Sequence, residues 1–171
     1  MAMNQYEMNP MLEIGQTASK EVEKYLRSLK ETVEVINVED NKHFQKKDID
    51  LLWIYILNNE EYMKRIEVKG DRYAHTGNFF IETMSNRERN NPGCFMYTEA
   101  DYLYYYFIDS RELNVMPMKE SREWFIKNMH RFEEKFLSTK VGDIGYYTSS
   151  GRLVPKEIMR REVKGFRHKI I

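Results

Sequence analysis
Hydrophobic positions along this chain fall first into a helical period and then into extended ones. Ile14, Ala18, Val22, Tyr25, Leu26 and Leu29 recur at helical spacing, which predicts an amphipathic helix over roughly residues 15–31. Glu21 stands at the border of its apolar face, about 60° from Ala18, and Glu23 points away. Residues 33–38 follow, then a polar connection to Lys47. Residues 48–57 are dense in Leu, Ile, Trp and Tyr. Asn58-Asn59-Glu60-Glu61 reads as the turn of a hairpin that returns through residues 62–69, and residues 79–84 read as a third strand. After a polar loop over 85–93, the Thr98 hydroxyl offers a cap for a short helix starting at Glu99-Ala100-Asp101. Two further strands, 103–108 and 113–118, flank the turn Asp109-Ser110-Arg111-Glu112. Trp124, Phe125, Met129, Phe132 and Phe136 predict a second long helix over roughly 119–137, and short turns are expected beyond Ser138. This order predicts one mixed α/β layer domain without internal repeats.

Composition narrows the classes. The chain has 171 residues, enough for one core but not two. Eight glycines and four prolines argue against a disordered or fibrous chain. No run approaches the roughly 18–20 apolar residues of a membrane span, and the first ten residues lack the apolar core of a signal peptide. A cytoplasmic protein without membrane contact is expected. The single cysteine, Cys94, is expected to exclude both a disulfide framework and a thiolate zinc site, and it reads as a bystander.

With 27 basic and 27 acidic residues the formal charge is zero, so sheer positive charge does not bind nucleic acid here. The balance is uneven, however. Residues 151–171 hold Arg152, Lys156, Arg160, Arg161, Lys164, Arg167 and Lys169 against Glu157 and Glu162. That segment is +5, leaving −5 in residues 1–150. Such a block is either solvated surface or an arm touching phosphates, with Arg160, Arg161, Lys164 and Arg167 its candidate contacts.

The chemistry centres on Glu67-Val68-Lys69. An acid two residues before a lysine should occur about two or three times by chance among 27 acidic residues and fifteen lysines, so the tripeptide alone says little. It occurs at Asp40/Lys42, Glu67/Lys69, Glu133/Lys135 and Glu162/Lys164, and context separates these. Asp40/Lys42 lies in a polar connection. Glu133/Lys135 falls on a predicted helix, where positions two apart do not share a face. Glu162/Lys164 sits in the basic segment with no preceding strand pair. Only Glu67 and Lys69 end a predicted strand, where period-2 alternation places both on one side. The adjoining strand offers Asp48 and Asp50, one of which the hairpin brings beside Glu67.

Two carboxylates and a lysine on neighbouring strands suit phosphodiester hydrolysis. Hard oxygen ligands hold Mg²⁺ or Mn²⁺, which polarises a phosphoryl oxygen and acidifies a bound water, and the Val68 carbonyl offers a further oxygen. The lysine ammonium orients that water or offsets transition-state charge. The competing reading is a salt-bridged strand edge.

Asp50-Leu51-Leu52-Trp53, the hairpin, and Ile66-Glu67-Val68-Lys69-Gly70-Asp71 resemble the PD-(D/E)xK nuclease superfamily. The resemblance continues through Thr76-Gly77-Asn78-Phe79-Phe80-Ile81-Glu82, Pro92-Gly93-Cys94 and Thr98-Glu99-Ala100-Asp101-Tyr102. These segments are similar to a small phage- and bacterium-borne branch, over roughly residues 14–118. The resemblance implies a restriction-endonuclease-like core, a central mixed sheet flanked by helices in the order αβββαβ. It implies a DNA-cleaving enzyme with Asp50 and Glu67 as metal ligands and Lys69 as the catalytic lysine. The first acid is not preceded by proline, and Asp48 competes for its role; the apolar run beginning directly after Asp50 favours Asp50. Glu21 matches an acidic residue of the first helix in some members, and Glu82 is an accessory candidate. Branched or recombination DNA is the expected substrate, and a homodimer would suit the two strands to be cut. The alternatives are a non-catalytic nucleic-acid-binding module and a phage-encoded protein directed at a host partner.

Outside this set, His75 reads as a surface loop residue, and Asp101 and Tyr102 as braces. The block Tyr102, Tyr104, Tyr105, Tyr106, Phe107 reads as core rather than as a base-stacking platform.

Overall fold
In the computed structural model, residues 4–141, 143 and 145–171 are described, the first six by their backbone alone. A short strand β1 (Asn4–Glu7) runs into helix α1 (Met8–Ser28), which starts seven residues earlier than the periodicity predicts. Its early turns escape the pattern because they leave Met11 and Leu12 exposed. Strands β2 (Thr32–Asn37), β3 (Leu51–Leu57) and β4 (Glu60–Asp71) then form an antiparallel meander, with a one-turn helix α2 (Lys42–Gln45) between β2 and β3. The β3–β4 hairpin turns on Asn58 and Asn59 alone. Both adopt positive φ (53° and 64°), the left-handed conformation that asparagine tolerates and a two-residue hairpin turn requires.

Strand β4 next pairs in parallel with β7 (Tyr102–Phe107), and β7 pairs antiparallel with β8 (Glu112–Pro117), as expected from the Asp109–Glu112 turn. The result is a mixed six-stranded sheet in the order β11-β8-β7-β4-β3-β2, closed at one edge by β11 (Arg167–Ile170). Helix α1 covers one face. Its Ala18, Val22 and Leu26 pack on Val35, Leu51, Ile66, Val68, Tyr104 and Tyr106.

The opposite face carries a second sheet, in the order β1, β9 (Glu134–Val141), β10 (Gly145–Pro155), β5 (Asn78–Asn86), β6 (Asn91–Pro92), together with helices α3 (Cys94–Tyr97), α4 (Met118–Asn128) and α5 (Lys156–Glu162). The larger core lies between these layers, built from Phe79, Ile81, Phe95, Leu103, Tyr105, Phe107, Met116 and Phe125 among others. The aromatic block therefore packs on both sides: Tyr104 and Tyr106 against α1, Leu103, Tyr105 and Phe107 against the second layer. The protein is α/β, with a mixed central sheet flanked by helices.

Several expectations need correction. The third strand, β5 (Asn78–Asn86), forms as a strand but belongs to the second sheet, antiparallel to β10. No helix forms at residues 99–101. The short helix α3 lies just before, and Thr98 ends it, its hydroxyl donating to the Asp48 carbonyl (2.7 Å) and accepting from the Ala100 N–H (3.0 Å). The helix expected to reach residue 137 ends at Asn128. After a 3-10 turn over Met129–Arg131 the chain becomes β9 (Glu134–Val141), and Phe136 is exposed on it. Beyond Ser138 the chain is not a set of turns. Strand β10 (Gly145–Pro155) is flanked by both β9 and β5, and buries the polar Ser149 and Ser150, which no apolar period announces.

The basic segment is likewise built into the fold. Lys156 and Arg160 converge on Glu112 at 3.2 and 2.5 Å, and β11 pairs with β8. Among the described residues, no helix is long and apolar enough to cross a membrane.

One contact fixes how closely α1 approaches the sheet. A Cβ at Gly70 would stand 2.8 Å from both the Ala18 Cβ and the Ile14 carbonyl oxygen. The backbone neighbour cannot swing away, so Gly70→Ala must push the helix off β4. We expect a loss of about 1–3 kcal/mol in urea unfolding, whereas Gly15→Ala, which meets nothing within 4 Å, is tolerated.

Candidate active site
Burial of Ile66 and Val68 against α1 forces Glu67 and Lys69 onto the opposite face of β4, toward the second layer. Across the sheet, Leu51 opposes Ile66, so the position before it, Asp50, comes opposite Glu67. Strand β3 begins only at Leu51 while β4 continues past it. The Val68 N–H is taken up by a side chain instead, donating to Asp50 Oδ2 at 2.8 Å. Asp50 and Glu67 also share a side-chain hydrogen bond. The expected pairing of one aspartate with Glu67 is thus observed, and it involves Asp50.

Asp48 arrives differently. It does not alternate with Asp50 along a strand but sits in a left-handed turn with φ 54°, behind the one-turn helix α2. It still reaches the same place: one ligand atom each of Asp48, Glu67 and Cys94 lies within 4.8 Å of the others. Tyr97 hydrogen-bonds to Asp48. Cys94 and Tyr97 come from α3, which presses onto β5 because Gly93 has no side chain; a Cβ there would meet the Glu82 carbonyl oxygen at 2.3 Å. Cys94 and Tyr97 were not foreseeable, since no spacing relates them to Glu67. Glu82 comes from the second sheet and faces Lys69, with which it shares the walls of a small void lined also by Phe80, Cys94, Phe95 and Tyr105.

The electrostatics follow from burial. Glu67, 8% exposed, has its carboxyl pushed well above the carboxylate range, first by burial, then by the charges of Asp50 and Asp48. Asp50 is raised to about 6, again mainly by burial, with the Val68 N–H and the Glu67 hydrogen bond pulling the other way. The pair therefore holds a proton between them, with Glu67 the donor. Burial works against the Lys69 ammonium, but the negative surroundings, Cys94, Glu82, Asp71 and Glu67, overcome it and hold its pKa above the usual lysine value. Because burial keeps Cys94 itself a neutral thiol, the carboxylates supply that hold. Glu67 Oε2 and Asp48 Oδ2 are buried without a hydrogen-bond partner.

The remaining candidates fall elsewhere. Glu21 lies on the α1 side, beside Tyr106, on the face of the sheet opposite Glu67. Val68 joins the site through its N–H. Asp101 braces β4 by accepting from the Arg65 N–H (2.8 Å) and guanidinium (2.9 Å). His75 is an exposed residue of a 3-10 turn. Arg160, its side chain 13% exposed, is committed to Glu112, Asn114 and Glu157. Arg161, Lys164 and Arg167 are not so enclosed. A cleft of about 650 Å³ adjoins the site at Tyr97, lined by Lys64, Arg65, Lys119 and Arg122 but equally by Glu99, Asp101, Glu120 and Glu123.

The raised Asp50 carboxyl has a sign that can be checked. Its folded-state pKa, about 6, exceeds the ordinary 3.8, so folding is favoured below pH 4 and that contribution is lost as pH rises through 6. Asp50→Asn keeps an acceptor for the Val68 N–H and removes the charge. In urea unfolding it should match the parent near pH 4 and exceed it at pH 8, by up to about 3 kcal/mol at 1.36 kcal/mol per decade. A variant no more stable than the parent at pH 8 would contradict this account of the site.

No family model, curated protein or solved structure matches this chain.

Proposed function
We propose that the chain is a metal-dependent nuclease of the PD-(D/E)xK type that hydrolyses DNA phosphodiester bonds, with branched or recombination intermediates as its substrates. The observation that carries this reading is the Asp50–Glu67 pair across β3 and β4, with Lys69 on the same face two residues further on. With α2 and the second-sheet strands β5 and β6 set aside as insertions, the order α1, β2-β3-β4, α3, β7, with β4 and β7 parallel, supports a restriction-endonuclease-like core of the αβββαβ kind.

The donors fit Mg²⁺ or Mn²⁺: hard carboxylate oxygens from Asp50 and Glu67, of which Glu67 Oε2 has no protein partner, with the Val68 carbonyl as a further oxygen in the chain between Glu67 and Lys69. A divalent cation held there would supply positive charge to the scissile phosphate. The chain's own residues do the rest. Glu67 would give up the proton it shares with Asp50 on holding the cation, so affinity would rise with pH. The Lys69 ammonium, kept charged by its acidic neighbours, orients the attacking water and offsets charge gathering on the phosphate in the transition state. The charges of Glu82 and Asp48 lie close enough to act on this ammonium. Without the cation the cluster repels phosphate, so metal is needed for DNA binding as well as for cutting. Arg161, Lys164 and Arg167 remain available for phosphates, in a monomer or in the homodimer that two-strand cutting would favour.

A second reading, a non-catalytic nucleic-acid-binding module that keeps the fold, draws on the burial of Glu67 and the enclosure of Lys69 beside Phe80 and Phe95.

Linear, single-stranded, flapped and four-way-junction DNA, each with and without Mn²⁺, separate the two. Cleavage should require metal and fall by about 100-fold or more in Lys69→Ala and Asp50→Asn, while Lys164→Ala keeps its turnover. Salt-sensitive binding without metal-dependent turnover supports the second reading instead. Equal losses in Lys164→Ala and Lys69→Ala would reject Lys69 as the catalytic lysine.

A further inference from the structure
We propose that Asp48, Glu67 and Cys94 form a site for a thiophilic divalent cation of the Zn²⁺ class, overlapping the Asp50–Glu67 pair through Glu67. The three side chains come from separate parts of the fold, a left-handed turn, the centre of β4 and the first turn of α3, yet their ligand atoms lie within 4.8 Å of one another. Each of the two carboxyls also keeps one unsatisfied oxygen. Asp48 Oδ2 and Glu67 Oε2 are buried and have no hydrogen-bond partner, and Glu67 as a whole is 8% exposed. A buried carboxylate oxygen left unpaired is costly, and one cation satisfies both.

The third donor decides which cation. Mg²⁺ and Mn²⁺ take oxygen ligands, whereas a sulfur beside two carboxylates turns the preference toward Zn²⁺ or Cd²⁺. Bond lengths are about 2.0–2.2 Å to oxygen and 2.3 Å to sulfur, so two donors at a tetrahedral angle stand about 3.3–3.7 Å apart. Closing from 4.8 Å takes about 1–1.5 Å, which rotation of the three side chains about their torsions has to supply. Three protein donors leave one tetrahedral position open.

Gly93 seats α3 directly on the Glu82 backbone, which fixes Cys94 over the cluster. Burial and the neighbouring carboxyls keep the free thiol protonated and Lys69 offsets them only in part, so the cation itself has to displace the proton. On binding, the S–H proton leaves to solvent as the sulfur–metal bond forms, with no change of oxidation state. Because Glu67 serves both arrangements, a thiophilic ion and Mg²⁺ exclude each other, and Zn²⁺ acts as an inhibitor. That consequence rests on the nuclease reading; the binding itself does not.

Cys94 is the chain's single cysteine, so a thiolate-to-metal charge-transfer band can come from nowhere else. Titrating the full chain with Cd²⁺ should produce an ultraviolet band that saturates at one equivalent and is absent in Cys94→Ser. Asp48→Asn and Glu67→Gln should each weaken Cd²⁺ binding by about tenfold or more, and the cleft variant Glu123→Gln should not. If Cys94→Ser does not fold, the Asp48→Asn and Glu67→Gln titrations decide alone. No band, or a band whose affinity neither carboxylate variant alters, overturns the proposal. A chain that cleaves DNA with Mn²⁺ yet shows no band loses this site and keeps the nuclease reading; a band without cleavage does the reverse.

Discussion
Strand β4 is covered on both faces, and the rest of the molecule is arranged around that constraint. Its Ile66 and Val68 go under α1, so Glu67 and Lys69 have only the space beneath the second layer. Water cannot solvate them freely there, and each must find its counter-charge among neighbours. The shortened start of β3 answers part of the demand, since the carboxylate of Asp50 replaces a backbone partner for the Val68 N–H. The same replacement brings a second negative group opposite Glu67. A local repair of the sheet and the assembly of an acidic pair are therefore one event.

The consequence is a site that folding alone does not favour. Three carboxyls, Asp48, Asp50 and Glu67, gather in one place, and burial raises all three. An apolar set of similar volume would be easier to bury, as it is for most buried ion clusters. Local rules broken in this way, at one place and with side chains left unpaired, are the mark of a functional site rather than of a scaffold. The contrast with Glu112 is instructive. There a half-buried carboxylate is met by Lys156 and Arg160 at 3.2 and 2.5 Å, its pKa is lowered, and no oxygen is left for a ligand. One cluster is closed electrostatically and ties α5 to β8. The other is open.

The central sheet was readable because its signals are local. Two asparagines make the hairpin, alternation places Glu67 with Lys69, and the hairpin register delivers Asp50. The second sheet was not readable, for physical reasons. Strand β9 follows the aromatic spacing of α4, so Phe132 and Phe136 extend a helical period across a chain that has changed conformation. Strand β10 buries serines, whose contribution is a hydrogen bond, as between the Ser150 and Thr83 hydroxyls, and not an apolar stripe. Strand β5 was recognised as a strand, but nothing along the chain tells which sheet a strand joins when its partner lies some seventy residues away. At the site, Cys94 and Tyr97 depend on that placement of β5 and on the close seat of Gly93. They belong to the tertiary fold and have no sequence period of their own.

Net neutrality can now be divided by location. Of the basic residues after position 150, Lys156 and Arg160 meet Glu112 and Arg152 approaches Glu134, so two outside carboxylates answer part of the +5 of that segment. The strand that carries Arg167 and Lys169 lies three places from β4 in the sheet order. At strand spacings of about 4.8 Å that is roughly 14 Å, beyond the Debye length of about 8 Å at physiological salt. The field of the basic segment is therefore weak at Glu67, and the cleft beside Tyr97 balances its cations with as many acids. Under the nuclease proposal, repulsion between the acidic cluster and a phosphate would have to be overcome within the cluster itself. Only Lys69 and a bound cation would be close enough to do it, which is why that proposal requires one metal dependence for both binding and cutting.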